Sequence, residues 1–176
     1  MANANSTTTT RPEIICPSPV SETAITQLLK TPLGANLDLF QVLDCCQYIS
    51  DALIENSDHT ECMALYGRLY AGLEVLKVVL KVPLPAYLIE RLTVDAATEE
   101  KYHCPLSTDS ESMREYCAAL TMLLLQRQQS PEQEEQIGGL LFELLNVLIE
   151  DLKAPRFIRS EAGLMMISDD TKPDIH

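Results

Sequence analysis

Residues 131–155 read PEQEEQIGGLLFELLNVLIEDLKAP, and residues 59–83 read HTECMALYGRLYAGLEVLKVVLKVP. Both close on leucine, lysine, one small apolar residue and proline. A shift of 72 residues aligns the two without a gap and carries the match upstream: Cys45 falls on Cys117, Leu53 on Leu125, Gly67 on Gly139, Leu69 on Leu141 and Leu73 on Leu145. Val75 then meets Val147, Leu76 meets Leu148, and Leu80, Lys81 and Pro83 meet Leu152, Lys153 and Pro155. Unrelated leucine-rich helices share leucines by chance. A shared glycine and a shared closing Leu-Lys-x-Pro point instead to an internal repeat.

Each stretch carries the helical period. Leu65, Leu69, Leu73, Leu76 and Leu80 recur at threes and fours, as do Ile137, Leu141, Leu144, Leu148 and Leu152. Upstream of the first lies Leu39, Val42, Leu43, Cys46, Ile49 and Leu53; upstream of the second lies Met113, Cys117, Leu120 and Leu124. Asn56-Ser57-Asp58 and Gln129-Ser130-Pro131 supply the turns, the latter with proline at a first helical position. The spacing therefore predicts two αα-hairpins, over about 36–83 and 108–155.

One amphipathic hairpin cannot cover its own apolar face, whereas two can bury theirs together. The expected fold is all-α: a helical bundle of two repeated hairpins, four main helices with short accessory helices over 21–32 and 86–93, in one domain spanning 21–155. Residues 1–20, Thr-rich and broken by Pro12, Pro17 and Pro19, read as a flexible arm. The tail 156–176 reads either as a small β-hairpin about Ser160-Glu161-Ala162-Gly163 or as a packed coil. Glycine in a helix costs about 1 kcal/mol relative to alanine, so Gly67, Gly72, Gly138 and Gly139 are expected to mark a close approach of two backbones.

Composition agrees with helices. The chain has 176 residues, 46% of them hydrophobic, with 5% aromatics, no Trp and only 6 glycines. The net charge of −13, from 26 acidic and 13 basic residues, repels phosphate backbones and anionic headgroups. Direct binding to nucleic acid or a membrane is thus not expected, and no segment is apolar for long enough to span a bilayer. The N-terminus lacks a secretory pattern, so the six cysteines are expected as thiols in the cytoplasm.

Reactive constellations are thin. His59 and Cys62 have H-x-x-C spacing and His103 adjoins Cys104, but no C-x-x-C pair completes a zinc set. The E-x-x-H of Glu100 and His103 has no second copy, as a di-iron bundle would need. A Cys104 nucleophile lacks an orienting acid, and no nucleophile elbow or phosphate loop occurs. No enzyme, cofactor or metal is expected.

The residues instead suggest an acidic helical interaction module, a regulator or adaptor that binds a basic protein partner or a second copy. Leu123, Leu125, Leu140 and Leu145 lie outside the stripes, which implies wide burial or an interface. Contact candidates are the acidic residues Asp44, Asp51, Glu55, Glu132, Glu135 and Glu143, with Arg156 and Arg159 as contacts for an acidic group. The alternative is an acidic mimic of nucleic acid that inhibits a DNA-binding protein, of the type mobile elements carry.

Overall fold

The computed structural model describes residues 24–34, 36–95, 109–161 and 163–167. They form six helices: α1 (Ala24–Lys30), α2 (Leu39–Glu55), α3 (His59–Val79), α4 (Ala86–Arg91), α5 (Ser110–Gln126) and α6 (Pro131–Lys153). Three short strands join them: β1 (Thr93–Asp95), β2 (Phe157–Ser160) and β3 (Gly163–Met166). The reading of residues 1–20 as a flexible arm lies outside the described residues.

Every long helix begins on a side-chain cap, because its first amides have no intrahelical partner. Asp38 accepts from the Gln41 amide at 2.9 Å and Gln41 answers with Oε1 on the Asp38 amide. Ser130 and Gln133 repeat that reciprocal box at α6, with Pro131 at the first helical position. Asp58 caps α3 through the Glu61 amide at 2.9 Å. Asp109 caps α5 through the Ser112 amide at 2.8 Å, and these bonds hold its carboxyl below the usual range. At the other end of α5, Arg127 takes the left-handed conformation, φ 54° and ψ 40°.

The helices pack as a bundle. α2 lies on α3, α3 on α5, α5 on α6, and α6 returns to α2, with α1 against α2 and α3. Polar contacts give the directions. Lys153, the last residue of α6, bonds Asp44 near the start of α2 at 2.7 Å. Arg114, near the start of α5, reaches Glu74 in the second half of α3.

The apolar stripes meet in one core. Val42, Leu43, Cys46, Leu65, Leu69, Leu73, Leu76, Cys117, Leu145 and Leu148 are completely buried. Aliphatic surface removed from water stabilises by roughly 25 cal/mol per Å², which makes these stripes the chief source of stability. Leu53, Leu80, Leu120, Leu125, Leu144 and Ile137 are half-buried at the margin of the core. Of the leucines outside the stripes, Leu145 is core, whereas Leu123 and Leu140 stay exposed.

The strands add a three-stranded sheet in the order β1-β2-β3. β2 and β3 form the antiparallel hairpin that was one of two readings of the tail, turning at Gly163 with φ 116°. β1 was not foreseen. It pairs with β2 in parallel, Thr93 opposite Phe157, a partner far away in sequence. The Leu92 carbonyl stitches the sheet to α4 by accepting from the Arg156 and Phe157 amides. No residue of β3 is covered.

Two glycine expectations fail. A Cβ on Gly67 or Gly139 would meet nothing within 4 Å, so neither marks backbones in close approach. The close approach is at Gly72, against a side chain: its Cβ would lie 2.8 Å from the Cys46 sulfur. Among the described residues, no helix is long and apolar enough to cross a membrane.

Candidate protein-interaction groove

The end of α2, the start of α3 and the start of α6 leave a groove of about 340 Å³ between them. Leu53 and Ile54 make its apolar wall, and Ile54 is 57% exposed although it belongs to a core-facing helix. Gly138 and Gly139 line it without side chains, and Glu134 and Glu135 stand one turn earlier on α6. The Asp58 and Ser130 caps place both helix starts at this end, so the groove follows from where the two turns fall.

Tyr66 runs into it from α3. Its ring belongs to the core and the residue is 8% exposed, while its hydroxyl lines the groove 3.5 Å from where a Gly138 Cβ would stand. That hydroxyl has no hydrogen-bond partner among the described residues. Burial, with Cys62 and Glu134 adding to it, pushes its pKa up to about 12. It therefore stays a neutral hydroxyl, able to donate and accept.

His59 and Cys62 both line the groove. The Cys62 thiol donates to the Asn56 carbonyl at 3.4 Å, and burial with Asp58, Glu134 and Glu61 raises its pKa. A raised pKa lowers the share of thiolate, the form that acts as nucleophile or metal ligand. Among the described residues, no group of three or more His, Cys, Asp or Glu side chains could hold a metal. The readings of Glu100, His103 and Cys104 lie outside the described residues.

The acidic residues singled out from the sequence are scattered. Glu135 lines the groove. Glu55 ends α2 beside it, Glu132 lies in the first turn of α6, and both are exposed. Asp51 and Glu143 are exposed elsewhere on α2 and α6. Asp44 is half-buried and already pairs with Lys153, which also reaches Gln47 at 3.3 Å. The two arginines are engaged as well: Arg159 bonds Glu90 at 2.5 Å, and Arg156 lies 3.8 Å from Asp151.

Three features escaped sequence reading. Glu134 is half-buried and its charge acts on Tyr66, yet alternation of charge along a helix start does not say which acid faces inward. Tyr66 reads as one more apolar residue beside a leucine stripe. Arg114 is 2% exposed and holds Glu74 and Glu115, at 3.5 and 3.2 Å, with its Nε unpartnered. The signal for it was present, since Arg114, Cys117, Thr121 and Leu124 share the inward stripe of α5. Comparison with protein-family models, curated proteins and solved structures finds no match to this chain.

Proposed function

We propose that the chain is a non-enzymatic, acidic helical interaction module, a regulator or adaptor that works by binding a protein partner or a second copy of itself. The observation that carries this reading is the groove: an apolar wall, a neutral hydroxyl on the floor and two carboxylates at the rim, with no lysine or arginine among its lining residues. Such a surface recognises by shape and charge. The groove thiol, Cys62, has its pKa raised by burial and by Asp58, Glu134 and Glu61, which lowers its reactivity. The nucleic-acid mimic rests on the unbalanced acids of residues 38–55 and the glutamates at 132–135, and among these Asp44 already pairs with Lys153.

The reading extends to how the module is built. The bundle is proposed to be a duplicated αα-hairpin. At the 72-residue shift α3 begins at His59 and α6 at Pro131, and the caps Asp58 and Ser130 are equivalent positions. Tyr66 and Gly138 are equivalent as well, and they face one another. Equivalent residues that meet across a pseudo-twofold axis cannot both be large. One copy's tyrosine with the other's glycine is a solution that also opens the groove.

The test is affinity capture from the native host with the full chain, run beside Glu134→Lys/Glu135→Lys. A partner held by the wild type and lost by the reversal supports the reading. Identical capture by both, with a strict monomer in light scattering, overturns it.

A further inference from the structure

We propose that the groove seats a lysine or arginine side chain presented by an apolar segment of a protein partner, whose backbone lies across Gly138 and Gly139. The proposal rests on the interaction reading and adds the occupant.

Three independent features select it. Glu134 and Glu135 line it beside His59, with no lysine or arginine among the lining, so the groove favours a cation over an acid. The Tyr66 hydroxyl, on a residue more than nine-tenths buried, bonds no other described residue and lies 3.5 Å from a Cβ position on Gly138, which lines the groove. An ammonium or guanidinium supplies only donors, which suits that oxygen and the two carboxylates together. Leu53 and Ile54 then face the methylene stem, since long basic side chains lay their stems along apolar surface.

The glycines explain why the occupant is part of a protein rather than a free amine. A Cβ on Gly139 would touch nothing, so no internal packing requires glycine there. Each helical glycine nevertheless costs about 1 kcal/mol. A strip without side chains lets an incoming main chain come close to α6, bringing apolar neighbours of the basic residue onto Ile54. The volume, about 340 Å³, suits one long side chain and little more.

Random linear peptides displayed on phage are selected on the full chain, and recovered peptides are titrated by fluorescence anisotropy. The expected peptides carry a lysine or arginine flanked by apolar residues. Loss of charge-assisted hydrogen bonds and of access should weaken binding about tenfold in Gly139→Gln and in Glu134→Gln/Glu135→Gln. Glu111→Gln/Glu161→Gln, a matched two-charge change at exposed residues outside the groove, should leave binding within about twofold. Gly139→Gln has space for its side chain, and its thermal melt checks the fold. Peptides that bind Gly139→Gln as well as wild type overturn the groove as the site and leave the interaction reading standing. Peptides without basic residues, or free arginine binding as tightly as the peptides, overturn the occupant. Recovery of no peptide overturns both.

Discussion

The sulfur of Cys46 lies 2.8 Å from where a Cβ on Gly72 would stand, at a point where α2 and α3 are both buried. Cysteine on one helix therefore requires glycine on the other. The residues 72 positions on are Ala118 and Leu144. Gly72→Ala should cost about 1–3 kcal/mol through overpacking. Cys46→Ala in the same chain should recover much of that loss. Urea unfolding of the two single variants and the double variant gives the coupling, and additive losses would refute the contact.

Gly67 and Gly139 behave in the opposite way. Both are exposed with open space at Cβ, so alanine improves helix propensity and strains nothing. Each substitution should raise stability by about 0.5–1 kcal/mol, read as a higher denaturation midpoint at unchanged slope.

The caps give a matched pair. Asp58→Ala and Ser130→Ala each remove the acceptor for an amide in the first helical turn. Each should cost about 1 kcal/mol. Amide exchange should speed up most in the first turn of the helix whose cap is removed.

Arg114 separates packing from charge. Its stem fills core space, whereas its partners Glu74 and Glu115 are 44% and 59% exposed and can return to water. Arg114→Met keeps the stem and should change stability by less than about 1 kcal/mol in either direction. Arg114→Ala leaves a cavity and should cost about 2–4 kcal/mol. Equal losses in both variants would show that the ion pairs dominate.

Buried thiols set the alkaline limit. Burial pushes Cys46 and Cys117 from the ordinary 9.0 up to about 12, and Tyr66 from 10.0 up to about 12. Between these values the unfolded chain loses protons that the folded chain keeps. Stability from these groups is therefore full below about pH 9 and falls as pH rises towards 12, by at most about 1.4 kcal/mol per group per pH unit. Chemical denaturation from pH 8 to 11 should follow that slope. Iodoacetamide at pH 8 should label Cys45 and Cys62 in the native chain, and Cys46 and Cys117 only on unfolding.

Much of the bundle was legible because its determinants are local. Leucine spacing names the inward faces, and Ser130-Pro131 and Asp58 name the starts of α6 and α3. These signals operate within a few turns of a helix, where period and backbone chemistry suffice.

What only the tertiary structure decided are pairings between distant segments. Strand β1 exists because Leu92 and Phe157 come together after two intervening helices. Arg114 is buried because α3 brings Glu74 to it, and Asp44 is neutral to a partner because α6 ends at Lys153. The groove belongs to the same class: Tyr66, Gly138, Ile54 and Glu134 come from three helices, and none is unusual alone. Helix period is written into the chain, whereas which exposed residues share a surface depends on how the helices cross.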